Sequence, residues 1–260
     1  MTWELLTPAQ RAATERVLAE ERRARRHIVV SVSGAHAYGF ASPDSDVDVK
    51  AVHVEATDRL LGLRVPVPHA ERLEIVDGVE IDYSSNEIHP VLVGALAGNG
   101  NFLERLLGPC ALEAAPPLAA LRPLLVRVLS RRVHRHYRGF AGSQLRELVR
   151  APTAKKALYV LRTALTGAHL LRTGEMAIDV RPNLGRYGFA EAEELLEHKR
   201  TAERAALAPP VAERWAAELG RVFTVLEEAL AQSPLPEDPP EAAAADLEAW
   251  LVELRRGALA

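Results

Sequence analysis

The feature that most constrains this chain is an Asp-x-Asp pair inside a segment rich in β-branched residues. Asp46 and Asp48 open a predicted strand over residues 46–54, and a second predicted strand, residues 28–32, comes before them and ends at Gly34. Because side chains alternate across a strand, the two carboxylates share one face and the intervening valines point to the other. The pattern therefore predicts a sheet that presents two carboxylates at one point.

A third β segment adds further carboxylates. Residues 72–83 contain the dipeptide Asp77-Gly78 between two apolar runs, which predicts a β-hairpin. Glu80 and Asp82 share a face of its second strand, so either is a candidate third carboxylate if this strand lies beside the Asp-x-Asp strand. Lys50 shares the face of Asp48, where a cation near the carboxylates is one interpretation and a solvent-exposed side chain is the other.

Three carboxylates at one point would repel one another unless cations lay between them. Mg²⁺ prefers such hard oxygen ligands, and its sites combine a few carboxylates with substrate phosphates. The sequence therefore predicts two Mg²⁺ ions, with Mn²⁺ as an alternative, held by Asp46, Asp48 and a third carboxylate, Glu80 or Asp82, in an in-line displacement that releases pyrophosphate. A turn over residues 34–39 would offer backbone N–H groups to the terminal phosphates of a nucleoside triphosphate.

Composition limits the wider possibilities. With 260 residues and 48% hydrophobic content, the chain can bury a sizeable core. A formal charge of −3 gives no global basic surface for nucleic acid, although a local patch stays possible. The single cysteine, Cys110, excludes an intramolecular disulfide and suits a reducing cytoplasm. We find no apolar run of bilayer-spanning length, so we expect a cytoplasmic protein without a membrane partner.

Beyond about Ser85 the sequence is predicted to be helical, because apolar residues recur at three- and four-residue spacing. Gly-Pro and Pro-Pro pairs near residues 109–117 favour a domain boundary, and residues 233–240 form a proline-rich linker. The predicted helical segments are residues 86–97, 101–107, 117–149, 152–173, 189–206, 209–232 and 241–256, after a first helix that starts with Thr7 as N-cap and ends near Arg25.

Residues 34–48 read Gly-x-His-Ala-Tyr-Gly and then Pro-x-Ser-Asp-x-Asp. This pattern resembles the DNA polymerase β-like nucleotidyltransferase superfamily, and more closely its bacterial and phage branch that includes the RNA-ligase-associated enzymes. Residues 82–88 resemble the third-carboxylate segment of that branch, and residues 96–107 and 155–175 resemble its helical parts. The resemblance covers roughly residues 28–200.

The resemblance implies an α+β (mixed α/β) fold. A small mixed β-sheet nucleotidyltransferase domain flanked by helices would be followed by a mainly helical C-terminal domain. The implied domains are a catalytic domain over residues 1–112, a helical domain that completes the cleft over 113–232, and a linker with a last helix over 233–260. By position, Asp46 and Asp48 would be the shared metal ligands. Asp82 would be the third carboxylate that primes the acceptor hydroxyl, with Glu80 in reserve.

One position departs from the family pattern. Gly34 stands at the family's Gly-Ser turn, and Ala35 occupies the place of the serine that contacts the triphosphate. Loss of one hydroxyl contact is worth about 1 kcal/mol, so triphosphate binding would weaken without being abolished. His36 has two interpretations, a phosphate contact or a hydrogen bond to a neighbouring loop. The expected nucleotide-binding residues are Gly34, Ala35, His36, Ser45, Lys155, Lys156 and Arg162.

The basic residues of the helical half carry two interpretations each. Lys155 and Arg162 lie seven residues apart on one predicted helix face, with Lys156 beside them, and could neutralise a triphosphate or simply face water. Residues 131–138 are the most basic stretch, which suggests a footprint for RNA or another anion, although a charge run is more often a solvated face.

The sequence therefore predicts an enzyme of the EC 2.7.7 type. It would move a nucleoside monophosphate from an NTP such as ATP to a hydroxyl acceptor, an RNA end in tRNA processing or RNA repair, and release pyrophosphate. Two alternatives stay open: nucleotidylation of a protein or small molecule, and a non-catalytic nucleotide-binding regulator whose turn has lost the serine. Several matching segments argue against a purely helical interaction module. The sequence leaves the base preference and the oligomeric state open.

Overall fold

The computed structural model describes residues 2–201 and 206–257. Its chain forms two compact units, each built from separate stretches of sequence. The sheet unit comprises Met1–His36, Asp46–Leu129 and Pro239–Ala260, and the helical unit comprises Ala37–Ser45 and Ser130–Asp238. The short segment just before Asp46 therefore belongs with the helices rather than with the strands on either side of it.

A mixed five-stranded sheet is the framework of the sheet unit. Its strands are β1 (Arg26–Val32), β2 (Val47–Val54), β3 (His69–Val76), β4 (Val79–Glu87) and β5 (Ala111–Ala114), in the spatial order β3-β4-β2-β1-β5. β2 and β4 run parallel, whereas the other neighbouring strands are antiparallel. This sheet, with the helices described below, confirms the predicted α+β fold class.

The strands around the Asp-x-Asp pair are present close to their predicted bounds, although the strand predicted from Asp46 starts at Val47. The β3–β4 hairpin turns at Asp77 and Gly78, which have φ values of 51° and 83°, as an Asp-Gly pair predicts. The expectation of a helical chain beyond Ser85 was wrong for the end of β4, which runs to Glu87, and for β5. β5 reads Ala-Leu-Glu-Ala, a composition that favours helix, and it becomes a strand through its pairing with β1.

Helices pack on this sheet from several parts of the chain. α1 lies against β1 and β4, α4 against β2 and β4, and α5 and α6 against β1, while α12 packs on α6. The predicted capping box of α1 is confirmed, because Thr7 and Gln10 each accept the other's backbone N–H. The helices that start in this unit are α1 (Pro8–Ala24), α2 (Gly34–Tyr38), α3 (Thr57–Leu61), α4 (Ile88–Leu96), α5 (Gly100–Leu107), α6 (Pro116–Arg127) and α12 (Glu241–Arg256).

The helical unit is built around one buried helix, α8. Every residue from Val160 to Leu171 is buried, so α8 is covered on all sides. Its neighbours in contact are α7, α9, α10 and α11. The bounds are α7 (Val133–Arg150), α8 (Ala154–Thr173), α9 (Val180–Arg186), α10 (Glu193–Thr201) and α11 (Pro209–Ala231). No helix of the described chain is both long and apolar enough to cross a membrane.

The single helical segment expected over residues 117–149 was wrong, because the chain breaks between α6 and α7. At the break the backbone N–H of Arg131 donates to the carbonyl oxygen of Pro236 at 2.8 Å instead of continuing a helix. α9 lies where no helix was predicted, and the Asp179 side chain caps it by accepting the N–H of Arg181.

The predicted domain boundaries after residues 112 and 232 stay predictions, and the compact units group the chain differently. α6 packs on β1, and Arg127 at its end forms an ion pair with Asp246 of α12 at 2.7 Å. The predicted helix 189–206 is present in part as α10, and its residues 202–205 lie outside the described residues. Met1 and residues 258–260, at the ends of the predicted first and last domains, also lie outside them.

We expect Gly167→Ala to destabilise the helical unit, although Ala is favoured over Gly inside a helix by about 1 kcal/mol. An added Cβ would lie 2.5 Å from the Cβ of Tyr137, whose side chain is fully buried. Overpacking of this kind costs about 1–3 kcal/mol, so the free energy of unfolding should fall.

Gly139→Ala is the matched control for Gly167→Ala. Apart from its chain neighbours and the adjacent backbone of α7, no atom of the described residues lies within 4 Å of a Cβ added at Gly139, so this substitution should raise the free energy of unfolding by up to about 1 kcal/mol. Urea denaturation measures both variants. Shifts of the same sign would contradict the packing of α8 against α7.

Candidate active site

The parallel pairing of β2 and β4 places two of the predicted carboxylates side by side. Asp48 is the Cα partner of Asp82 in the β2–β4 ladder. The opposite face of both strands is core, since Val49 and Tyr83, the next pair along, are fully buried. Asp48 and Asp82 therefore project from the same exposed face of the sheet.

The structure separates the two candidates for the third carboxylate. Asp82 adjoins Asp48, whereas Glu80 lies before the first paired residues of the ladder, Val47 and Ile81. Glu80 is instead the partner of Ile75 on the outer strand β3 and is exposed to solvent. The position of Asp82, rather than that of Glu80, fits a carboxylate acting together with Asp48.

Lys50 lies between the two carboxylates. Its Nζ donates a hydrogen bond to Asp82 Oδ2 at 2.9 Å and lies 3.6 Å from Asp48 Oδ1. The side chains of Lys50 and Asp48 are only 18% and 20% exposed, so water screens this contact weakly. The interpretation of Lys50 as a cation near the carboxylates, and not as a solvated side chain, is the one that the structure bears out.

The electrostatics of Asp48 are unusual for an aspartate. Burial raises the pKa of its carboxyl group from 3.8 to about 6; the positive charge of Lys50 lowers this pKa, and the negative charges of Asp46 and Asp82 raise it. One ammonium group thus offsets only part of the negative charge gathered here. Additional positive charge would stabilise the ionised form of Asp48.

Gly34 is required by the close approach of Asp48. Gly34 has a φ of 62°, and a Cβ added to it would lie 1.8 Å from Asp48 Oδ2. The backbone N–H of Ser33 donates to the carbonyl oxygen of Asp48 at 2.9 Å, which holds the two segments together. The turn predicted over residues 34–39 is in fact a short helix, α2, that starts at Gly34.

The two residues after Gly34 are buried. Ala35 is 3% exposed and His36 is 7% exposed. His36 Nδ1 is 3.2 Å from the carbonyl oxygen of Leu5, and its Nε2 is 3.3 Å from the amide nitrogen of Gln10. An Nδ1–H donor and an Nε2 acceptor satisfy both contacts in the neutral ring. These contacts match the structural interpretation of His36, and binding of a nucleotide by Ala35 or His36 stays a prediction.

In the helical unit, Ser45 is held by a lysine that sequence reasoning missed. Lys199 is fully buried, and its Nζ donates to Ser42 Oγ at 2.7 Å and to Ser45 Oγ at 3.0 Å. Ser42 N–H also donates to Ser45 Oγ. The signal in the sequence was spacing, since Lys199 follows the buried Leu195 and Leu196 by four and three residues and so lies on the apolar stripe of α10.

The three basic residues predicted to bind the triphosphate also lie in the helical unit. Arg162 is 1% exposed, and its guanidinium carbon lies 3.5 Å from the centre of the Tyr38 ring, a cation–π contact. Lys156 Nζ donates to the carbonyl oxygens of Glu147 and Ala151 at the end of α7. Lys155 is half-buried near the start of α8. Their roles in phosphate binding stay predictions.

The carboxylates on this sheet face have the chemistry of ligands for a divalent cation. Among residues 2–201 and 206–257, no group of three or more His, Cys, Asp or Glu side chains is already arranged around one metal position. Asp48 and Asp82 nevertheless both contact one cationic atom, Lys50 Nζ, and Asp46 adds negative charge. Hard carboxylate oxygens with excess negative charge are the donor set that Mg²⁺ prefers, so the residues fit such an ion.

Residues 10–253 match the model of the RlaP family, described as the RNA repair pathway DNA polymerase beta family. The chain belongs to this family. Membership supports an enzyme of the nucleotidyltransferase kind, and polymerase β-like nucleotidyltransferases generally use divalent metals. The family thus agrees with the fold and with the resemblance carried by residues 34–48.

Two further comparisons add little to the family assignment. No curated protein matches the sequence. A solved structure, the nucleotidyltransferase-like protein from Exiguobacterium sibiricum 255-15, is similar at 12% identity over 95% of this chain and 79% of that chain. Its TM-score is 0.34, and a similarity this low carries no argument about this chain.

The raised pKa of Asp48 predicts how the free energy of unfolding of the metal-free protein, measured in EDTA, depends on pH. Because the folded pKa, about 6, lies above the ordinary value of 3.8, folding favours the protonated form. The stabilising contribution is complete below pH 3.8 and is lost as the pH rises through 6. Asp48→Asn removes this dependence, so between pH 4 and pH 8 it should gain up to about 3 kcal/mol relative to the unmodified protein.

Urea denaturation at several pH values measures this difference. Glu71→Gln is the matched control, because it removes an exposed carboxylate from the same sheet. If the free energy of unfolding depends on pH in the same way for the unmodified protein and for Asp48→Asn, ionisation of Asp48 does not destabilise the folded protein.

Proposed function

We propose that this chain is a metal-dependent nucleotidyltransferase that moves a nucleoside monophosphate from an NTP to the hydroxyl group of an RNA end and releases pyrophosphate. The observation that carries the proposal is the Asp48–Asp82 pair on one sheet face, beside a glycine whose missing side chain leaves room for Asp48. Membership of the RNA repair family supports RNA as the acceptor. A reducing cytoplasm is the proposed location, where the lone, buried Cys110 stays a thiol.

Asp82 is proposed to act on the acceptor. Its carboxylate is 42% exposed, more than twice as much as that of Asp48, so it is the more accessible to an incoming hydroxyl group. Asp82 orients this hydroxyl and accepts its proton as the oxygen attacks the α-phosphorus. A bond forms between the acceptor oxygen and phosphorus, and the bond from phosphorus to the bridging oxygen breaks. Pyrophosphate leaves with the electron pair.

Asp46 and Asp48 are proposed to hold the donor side of the reaction. Together with Asp82 they would bind two Mg²⁺ or Mn²⁺ ions, which supply positive charge that stabilises the pentacoordinate transition state and the leaving pyrophosphate. The more buried Asp48 is fixed against Gly34, so its carboxylate has little freedom to move. Fixed carboxylates of this kind need no reorganisation during the reaction.

The triphosphate contacts remain those that the sequence predicts. Gly34 brings the backbone close to Asp48, and Ala35, His36, Ser45, Lys155, Lys156 and Arg162 stay the residues proposed to bind the nucleotide. Two of these residues also make contacts within the helical unit. Arg162 stacks on Tyr38, and Ser45 accepts from Lys199, so both are also needed inside the helical unit.

Asp82→Asn should lower transfer of a labelled nucleotide by about a hundredfold or more, because the amide cannot accept the hydroxyl proton. Glu80→Gln is the matched control, since Glu80 lies two residues earlier on the same strand face but away from Asp48. We expect it to keep transfer within about threefold of the unmodified protein. Loss of transfer only in Glu80→Gln would assign the third carboxylate to Glu80. Equal losses in the two variants would assign this role to neither residue alone.

The acceptor is tested separately by incubation with each α-labelled NTP, Mg²⁺ or Mn²⁺, and total RNA or total protein. Label in the RNA fraction that disappears in Asp46→Asn with Asp48→Asn supports the proposal. Label in protein would replace RNA with a protein acceptor. Tight metal-dependent NTP binding in a calorimeter, without transfer to any acceptor, would favour the regulatory alternative.

A further inference from the structure

The position of Lys50 in the β2–β4 ladder brings its ammonium group to two carboxylates, unlike that of an ordinary surface lysine. The Cα partner of Lys50 on β4 is Ser84, and this pair lies two positions beyond the Asp48–Asp82 pair in the same ladder. The side chain reaches back along the strand face to lie 2.9 Å from Asp82 Oδ2 and 3.6 Å from Asp48 Oδ1. The strand register, and not a chance rotamer alone, therefore brings one ammonium group to both carboxylates.

We propose that Lys50 is a built-in counter-cation, which holds Asp48 and Asp82 together in the metal-free protein and gives up this position when a divalent cation binds. The proposal rests on the proposed function for the assignment of these aspartates to a metal site. It goes further by assigning a role to Lys50, which neither the family nor the proposed reaction supplies.

The Lys50 ammonium group and a divalent cation would compete for the same carboxylate oxygens. The ammonium group occupies Asp82 Oδ2 with a charge-assisted hydrogen bond and lies close to Asp48 Oδ1. A divalent cation requires lone pairs on these carboxylates and would be repelled by a positive charge only a few ångströms away. Metal binding therefore displaces the ammonium group from at least one of its two contacts.

A lysine is suited to being displaced. Its ammonium group is a point charge on a flexible stem and is strongly hydrated, so water readily replaces its carboxylate partners. Lys50 keeps 18% of its side chain exposed, which gives it a path to solvent. An arginine at the same position would bind the carboxylates through two parallel hydrogen bonds and would be harder to displace. The structure thus predicts an order of metal affinity among variants of this position.

The test is calorimetric titration of the full chain with Mn²⁺ at pH 7.5. Lys50→Met should bind Mn²⁺ at least about tenfold more tightly than the unmodified protein, because the competing charge is gone. Lys50→Arg should bind it no more tightly, and we expect more weakly. Arg16→Met is the matched control; it removes an exposed cation paired with Asp77 in the same unit and should leave the affinity unchanged.

Thermal denaturation separates competition from simple support of the site. In EDTA, Lys50→Met should have a lower Tm than the unmodified protein, because Asp48 and Asp82 then repel without a cation between them. Added Mn²⁺ should raise the Tm of Lys50→Met by more than that of the unmodified protein. Unchanged or weaker Mn²⁺ binding by Lys50→Met would overturn the proposal.

A measurement on the unmodified protein covers the case in which the methionine variant does not fold. The chain has only four lysines, Lys50, Lys155, Lys156 and Lys199, so their side-chain ¹⁵N NMR signals are few enough to follow one by one. The Lys50 signal, identified by its absence in Lys50→Arg, should shift as Mg²⁺ is added. A Lys50 signal that stays unchanged at saturating Mg²⁺, or a failure of Mg²⁺ and Mn²⁺ to bind, would overturn the proposal.

These measurements use no nucleotide and no RNA. Tighter Mn²⁺ binding by Lys50→Met without any nucleotide transfer would refute the proposed function and leave the role of Lys50 standing. Transfer that depends on Asp82, with unchanged Mn²⁺ affinity in Lys50→Met, would support the proposed function and refute the role proposed for Lys50.

Discussion

The parallel pairing of β2 with β4 places Asp48 beside Asp82, and the rest of the candidate active site depends on it. A shift of one residue in this register would turn one of the two carboxylates toward the core, where Val49 and Tyr83 are fully buried. The buried valines and aromatic ring thus fix the register from below, and the aspartates follow on the exposed face. Hydrophobic burial positions the charged groups here, although it takes no part in the chemistry.

The segment between β1 and β2 is constrained at both ends. At its start, Gly34 lets the backbone come so close to Asp48 that any side chain would displace the carboxylate. At its end, Lys199 fixes Ser42 and Ser45, the residue directly before Asp46. Burial of a lysine is costly unless its polar partners compensate, and the two serine hydroxyl groups supply such partners here. Within the helical unit, Lys199 therefore helps to fix Ser42 and Ser45.

Local patterns predicted the parts of this structure that depend on neighbours in sequence. Asp77-Gly78 predicted the hairpin between β3 and β4. The alternation that would put Asp46 and Asp48 on one face stays a prediction for Asp46, because β2 starts at Val47. The choice between Glu80 and Asp82 could not be made in this way, because both share a face and only the register with β2 separates them. The strand β5 was not predicted for a related reason, since its residues favour helix and only pairing with β1 makes them a strand. The spacing of Lys199 from Leu195 and Leu196 predicts its burial on the apolar stripe of α10, whereas its charge alone predicts exposure.

Lys50 and Lys199 differ in their access to water, and this difference decides what each side chain can do. Lys199 is fully enclosed and bonded to two hydroxyl groups, so moving it would leave a buried charge without its partners. Lys50 lies at the exposed face, and its partners are carboxylates that another cation can satisfy equally well. A charge that water can reach is exchangeable, whereas an enclosed one is structural. Lys199 thus fixes the chain before Asp46 within the helical unit, whereas Lys50 balances the carboxylate pair of the sheet unit with a charge that can leave.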